Sequence, residues 1–428
     1  MDIANTIEII TYKNQRFFTF EIFFKTKYVY SGFNITLSPL SHIQNFNFNL
    51  LMRRSTGYLD SKNHYQILDG LRGVASVLVI IFHVFETFTG GNRFIQIINH
   101  GYLAVDFFFL LSGFVVAYAY DDRWDKFTQW DFYKRRLVRL QPMVVMGSVI
   151  GAALFYFQSG AAFPLVATAP IWKVLLLMII GSTLIPVPIY MDIRGWQEMH
   201  PLDGPAWSLF FEYIANILYA VLVRRFSRFL LSIFVSLAGC MMIGYLIYGP
   251  QGDLIGGWSL NQEQLFIGFT RVLYPFFAGV LLSRMGKLIK VKNAFWWSSA
   301  LIILVLCIPR IGDEHHVWQN GIYDATAVIL IFPLIVSMGA GGTLHSLQSA
   351  RICKFLGDIS YPLYITHYPL IYIYTAWVVN NKIPLGIKGL LVGFLLVVTS
   401  IVLAYGCLKL YDEPVREWLK KKVLMKKA

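Results

Sequence analysis

The sequence predicts an all-α polytopic membrane protein: about ten transmembrane helices, one further apolar segment that is re-entrant or peripheral, and both termini in the cytoplasm. Three observations lead there. Of 428 residues, 56% are apolar or aromatic and only 14% are charged, with a mean hydropathy of +0.56, whereas soluble domains run at roughly a quarter charged. Apolar runs of about 20 residues, the length a helix needs to cross the hydrocarbon core, recur along almost the whole chain. Lys and Arg gather in the short links between these runs, the pattern that holds a link in the cytoplasm. A soluble enzyme, a secreted disulfide scaffold and a disordered chain are excluded. The net charge of +13 does not point to nucleic acid, because it marks membrane links rather than an aromatic-studded basic face.

Eleven apolar segments follow one another, at 74 to 89, 101 to 120, 142 to 158, 171 to 188, 205 to 223, 229 to 248, 265 to 283, 294 to 309, 322 to 341, 359 to 379 and 386 to 408. If all eleven crossed, the basic clusters around Arg224 and Lys287 and the Lys-rich tail would lie outside, against the positive-inside rule. One segment therefore does not cross. The fourth is the weakest, with Gly181, Ser182, Pro186 and Pro188, since proline removes helix hydrogen bonds and broken backbone is tolerated where it lines protein or a wet cavity. It is expected to be re-entrant or a lid on the outer side. Ten crossings then place 26 Lys and Arg in cytoplasmic links against about six outside, and leave residues 189 to 204 as an external polar link.

Residues 1 to 62 form an N-terminal extension too interrupted to span a bilayer and without a signal-peptide pattern. The polar lead MRRSTGYLDSKNHYQ makes Met52 a candidate start, with residues 1 to 51 then outside the native protein; an amphipathic surface segment is the alternative. Cys240, Cys307, Cys353 and Cys407 lack any paired spacing and are expected to be reduced packing residues.

The chemistry concentrates on a few ionisable residues within apolar segments, which are expensive there and point to function by default. Arg72 and His83, in LDGLRG and VASVLVIIFHVFE, are eleven positions apart. That is three helical turns plus about 20°, so they share one face about 16 Å apart. The arginine is expected at the cytoplasmic mouth and the imidazole near mid-bilayer, where it can take a proton from a hydroxyl. Glu86, three residues on, can orient the ring by accepting its other N–H; a core histidine and a carboxylate reaching the surface are the structural alternatives. Asp69, in the same LDGLRG stretch, is a further candidate.

In FYKRRLVRLQP, Arg136 and Arg139 lie three apart on one face, so guanidinium donors can converge on the phosphates of a nucleotide-like donor such as coenzyme A. A topology signal meeting anionic lipid is the alternative. Glu212 in PAWSLFFEY and Asp106 in YLAVDFFFLLSGF are expected at a depth comparable with His83, binding a substrate hydroxyl or balancing buried charge such as Arg271. His367, in SYPLYITHYPL, is a candidate whose alternative is a packed, hydrogen-bonded core residue. The DEHH run at 313 to 316 does not supply a metal shell, because consecutive residues cannot close a tetrahedron. No Walker, GxGxxG, GxSxG or HExxH pattern occurs.

Together these pieces resemble acyltransferase family 3, the integral-membrane acyltransferases that modify exported polysaccharides, peptidoglycan, lipids and other exported molecules. The likeness covers about 67 to 415 and rests on five pieces in the family's order. They are LDGLRG with Arg72 and His83, DFFFLLSGF, the pair Arg136 and Arg139, WSLFFE ending in Glu212, and SYPLYITHYPL around His367. The resemblance implies a membrane acyltransferase domain over 63 to 415 followed by a basic cytoplasmic tail, 416 to 428. It implies a cytoplasmic acyl-CoA donor, usually acetyl-CoA, whose acyl group passes to a hydroxyl of an exported glycan or lipid-linked acceptor. His83 would be essential, as general base or acyl carrier, and Arg72, Arg136 and Arg139 would be donor-site residues, with no metal. The bacterial cytoplasmic membrane is the expected location.

About 18 residues follow the last apolar segment, so no fused extracellular esterase-like domain is expected. A separate extracytoplasmic transferase is then a candidate partner, and nucleic acid is not. A proton-coupled secondary transporter is the competing function, since intramembrane His and carboxylates suit it too. No pairing of segment halves supports that reading.

Overall fold

The computed structural model describes residues 64 to 424 except 127 and 345; the candidate start at Met52 and the N-terminal extension lie outside the described residues. Among these residues there is no β-strand, only a single bridge between Gly160 and Phe163. Among the described residues seven helices are long and apolar enough to cross a membrane, and three shorter apolar helices accompany them.

Helix α1, Gln66–Thr89, takes LDGLRG into its first turns and ends on Gly90 in the left-handed conformation. A 3-10 turn, His100–Leu103, leads into α2, Ala104–Tyr120. Helix α3, Gln129–Leu154, starts well before its apolar run because Thr128 and Asp131 close a capping box, and so carries Arg136 and Arg139 on regular helix. Helix α4, Ile171–Gly181, has 11 residues, about 16 Å and half of a hydrocarbon core. A folded link then leads to α5, Ala206–Val221. Helices α6, Arg228–Tyr248, α7, Gln262–Met285, and α8, Ala294–Cys307, follow. Helix α9, Trp318–Thr326, runs through a π-turn, Ala327–Ile331, into α10, Phe332–Gly341.

The sequence predicts one span over 359 to 379, but the chain forms two helices there, α11, Leu347–Thr366, and α12, Tyr368–Asn380, broken at His367. Pro369 has no N–H to continue the ladder. The His367 imidazole instead turns Nδ1 to the carbonyls of Tyr364 and Leu363, at 2.9 and 3.1 Å. Helix α13, Ile387–Cys407, closes the domain, with a π-turn at Leu408–Asp412 before α14, Glu413–Leu419. Its Leu391, Phe394, Leu395, Val398 and Val402 are exposed, an apolar face suited to lipid rather than water.

Two close helix crossings set the frame of the site. At α2 against α7, a Cβ on Gly113 would overlap the carbonyl oxygen of Phe276, and one on Gly279 that of Leu110. At α1 against α11, a Cβ on Gly73 would strike the Leu356 carbonyl and one on Gly357 the Asp69 side chain. Small residues are what allow apolar helices to approach this closely in lipid, where packing and not water exclusion holds them together. The expected result of Gly279→Val is therefore a loss of roughly 3 kcal/mol, the upper end of overpacking. A thermal midpoint in detergent equal to that of the parent protein would contradict this account of the crossing.

Candidate active site

Because α1 is regular from Gln66 to Thr89, Arg72 and His83 project from one side of it toward α11 and its end. Arg72 donates from Nε to Ser360 Oγ at 2.7 Å and from Nη2 to the Gly357 carbonyl at 3.2 Å. His83 stacks on His367, with ring centroids 5.8 Å apart, and meets Tyr368 edge-on at 4.8 Å. The neighbouring Glu86 turns back onto the ring: its Oε2 lies 2.6 Å from His83 Nδ1. A carboxylate in that place makes Nδ1 the N–H and leaves the lone pair on Nε2. Among the described residues Nε2 has no hydrogen-bond partner. His83 and Glu86 both line a cavity of about 290 Å³, walled by Tyr102, Trp196, Trp207, Trp258, Tyr364 and Tyr368. The site thus offers an oriented imidazole to a space of ligand size.

His367 is fully buried behind His83. Its Nδ1 meets only carbonyl oxygens, so the lone pair is on Nε2, which has no partner. Toward the other end of α1, Asp69 braces Arg72 at 3.2 Å and pairs with His64 at 3.1 Å. Arg139 lies solvent-exposed on α3, yet within electrostatic reach of Arg72, Arg136, Asp69 and Glu212, and makes no hydrogen bond or ion pair among the described residues. Arg72, Arg136 and Arg139 thus form a cluster of positive charge, of which Arg139 is the exposed member. The unengaged donors of Arg139 are the kind that grip phosphate.

The structure brings neither of the other two carboxylates to His83. Glu212 does not line the cavity; of its two expected roles, contact with a substrate hydroxyl and balance of buried charge, it takes the second, on Arg136. Its Oε1 accepts from Arg136 Nη2 at 2.6 Å and from Ser112 Oγ at 2.5 Å, so α5 serves to hold an arginine of the cluster. Asp106 takes the second of its two expected roles, gripping Arg271 through Oδ2 at 2.7 Å and Oδ1 at 3.3 Å, both side chains buried. Arg271 reaches the cavity wall and also donates to the Tyr102 carbonyl at 2.6 Å. The DEHH run sits at the surface, where His316 Nδ1 pairs with Asp313 Oδ1 at 2.8 Å. Among the described residues no group of three His, Cys, Asp or Glu could hold a metal. No cysteine among them is bonded; Cys353 and Cys407 are buried, Cys307 partly so, and Cys240 is exposed.

Sequence reasoning missed the link from 182 to 205. Its polar composition suggests an external loop, but Arg194, Glu198, His200 and Asp203 are all buried. Met199 N donates to the Trp258 carbonyl at 2.7 Å, and Val187 N to the Met199 carbonyl at 2.9 Å, which pins the link against neighbouring chain. Trp196 and Glu198 thereby enter the wall of the His83 cavity. His200 and Asp203 face a second space of about 10 Å³, and their ring nitrogens and carboxylate oxygens have no protein partner. Burial pushes the His200 imidazole down to about 3 and the Asp203 carboxyl well above the usual range, so both are held neutral. The signal available in advance is density: RGWQEMHPLD packs Arg, Trp, Glu, His and Asp into ten residues immediately before α5.

The site is an imidazole oriented by a carboxylate on a cavity wall, in an all-helical bundle with apolar spans, with an arginine cluster toward the other end of the same helix. The chain belongs to the acyltransferase family whose domain model, Acyl_transf_3, matches residues 65–409. It is similar to the O-acetyltransferase OatA of Staphylococcus aureus, 25% identical over 342 residues that cover 74% of this chain and 52% of that protein. It is also similar to Protein 2 in picA locus of Rhizobium radiobacter, 34% identical over 161 residues, 36% of this chain and 80% of that one. The chain spans about half the length of the OatA relatives it matches. No solved structure matches it.

Proposed function

We propose that this protein is an integral-membrane O-acyltransferase that moves an acyl group, acetyl in the first instance, from cytoplasmic acyl-CoA to a hydroxyl of an exported glycan or other envelope acceptor. The observation that carries the proposal is the His83–Glu86 contact of 2.6 Å at the wall of the 290 Å³ cavity. Family membership and the O-acetyltransferase relatives favour this enzyme over a proton-coupled transporter. In the proposed orientation ten segments cross, α4 is re-entrant and both termini are cytoplasmic, as the Lys and Arg distribution favours. The cluster of Arg72, Arg136 and Arg139 then faces the cytoplasm of a bacterium and receives the donor's phosphates, and the histidine cavity receives the acceptor from the outer side. A separate extracytoplasmic partner that passes the ester onward is compatible with this scheme.

The chemistry follows from the tautomer. His83 Nε2 takes the proton of the acceptor hydroxyl as its oxygen attacks the thioester carbonyl, forming the C–O bond. Collapse of the tetrahedral intermediate breaks the C–S bond, and the departing thiolate recovers the proton from the imidazolium. Glu86 holds the ring and balances the transient positive charge, a preorganised partner for the imidazolium. Glu86→Gln should therefore keep the fold and lower kcat by roughly 10²-fold; a steady-state rate within a factor of two of the parent would remove Glu86 from the mechanism.

The test of the whole reading is mass spectrometry of envelope glycans and lipids from a deletion strain and its complemented parent. Acetyl esters missing from the deletion and restored on complementation are the expected result. An identical ester inventory in both strains would overturn it.

A further inference from the structure

Glu198 is a buried carboxylate in the wall of the same cavity as His83 and Glu86, and the transfer step above makes no use of it. It is held from behind. Tyr372 donates its hydroxyl to Oε1 at 2.5 Å, and Arg194 donates Nε to Oε2 at 3.3 Å. Arg194, itself fully buried, lies with its guanidinium carbon 3.4 Å from the centre of the Tyr372 ring and also donates from Nη1 to Gln158 Oε1 and from Nη2 to the Pro201 carbonyl. Tyr372 in turn packs edge-on against Tyr368 at 4.6 Å, and Tyr368 packs against His83. The carboxylate and the imidazole are thus fixed through one shared aromatic layer.

Hydrogen-bond accounting gives the carboxylate spare capacity. An ionised carboxylate has about four lone-pair sites, and Tyr372 and Arg194 occupy one each. The remaining acceptor capacity belongs to a group on the cavity wall, beside the indoles of Trp196 and Trp258. Flat aromatic faces next to strong acceptors are what the alternating C–H faces and O–H edges of a pyranose require.

We infer that Glu198 selects which acceptor hydroxyl is acylated, by accepting a hydrogen bond from the hydroxyl next to the one that His83 deprotonates. This rests on the acyltransferase reading and adds an acceptor class, a pyranose with vicinal hydroxyls. Glu198 is a positioning residue in this role: it touches the acceptor without exchanging a proton with it.

The charged and titratable groups facing Glu198 are Arg194, Tyr372, Asp192, Asp203 and Tyr368. Burial outweighs the help of Arg194 and Tyr372 and pushes the carboxyl up to about 7. Because the ionised form is the better acceptor, acceptor binding should tighten as the pH rises through about 7.

The full-length protein in proteoliposomes, supplied with acetyl-CoA and with methyl α-D-glucopyranoside, galactopyranoside or mannopyranoside, supplies the test. For the parent protein a single monoester is expected on the best of the three sugars, with an acceptor KM that falls between pH 6 and pH 8. For Glu198→Gln the expected result is a KM raised about tenfold, as for loss of one hydrogen bond to a charged group, with a smaller change in kcat, a flat pH dependence of KM and a mixture of ester positions by NMR. Glu198→Asp should restore part of the positional selectivity, and the acetyl-CoA dissociation constant of each variant reports whether the bundle is intact. A Glu198→Gln protein giving the parent's ester position and KM would overturn the role of Glu198 alone. Acetylation of none of the three sugars by the parent protein would overturn the pyranose assignment, and absence of any acetyl transfer in the envelope assay would overturn the reading beneath it.

Discussion

Replacing His83 by alanine is expected to lower kcat/KM for acetyl transfer by roughly 10²–10⁴-fold, the range contributed by a positioned general base, with the protein still inserted and folded. The ring packs against Phe82, Tyr368 and His367, yet its side chain remains 16% exposed toward the cavity, so truncation enlarges a space that already exists. If His83 were only a packing residue, the variant would lose thermal stability and keep its turnover per folded molecule. Turnover per folded molecule, measured with labelled acetyl-CoA and normalised to monodisperse protein, separates the two. Normal product in cells carrying well-expressed His83→Ala protein would end the proposal that this imidazole is the base.

The second large effect is expected at Arg139. Its guanidinium has no partner to lose among the described residues, so Arg139→Ala should leave the thermal midpoint unchanged and raise the acyl-CoA dissociation constant about 10- to 100-fold, the worth of charge-assisted hydrogen bonds to phosphate. Arg136→Ala is a different experiment although the two residues are one turn apart. Arg136 is paired with Glu212 at 2.6 Å and both are largely buried, so its removal strands a carboxylate and should cost a few kcal/mol of stability as well as donor affinity. The double variant Arg136→Met with Glu212→Leu removes the pair together and is expected to recover stability without recovering donor binding. Isothermal titration with acetyl-CoA and with its 3′-dephospho analogue provides the measurement. An unchanged acetyl-CoA affinity in Arg139→Ala protein would remove the phosphate role from this arginine cluster.

What the sequence carries reliably is whatever lives within one helix. The spacing of Arg72 and His83 and the step of three from His83 to Glu86 are fixed by helical periodicity, and the structure shows both relations. The apolar runs specify helices at nearly every expected position, and the capping box at Thr128 is a local signal that the apolar run alone conceals. The choice for Asp106 between a ligand and a counter-ion to Arg271 is already posed by two opposite charges in apolar runs.

What the sequence does not carry is which surfaces meet. Glu212 faces Arg136 and Ser112 because α5 lies beside α2 and α3, a matter of packing between segments far apart in the chain. The polar link from 182 to 205 looks like solvent-facing loop by composition, and only its burial against Trp258, Tyr372 and Gln158 turns Glu198 and Trp196 into cavity wall. The break at His367 is written locally, in Pro369, but its consequence is not: it swings an imidazole behind His83. Periodicity fixes directions within an element, whereas the neighbours of a side chain depend on the close crossings that Gly73, Gly113, Gly279 and Gly357 allow, and those are summed over the whole packed bundle.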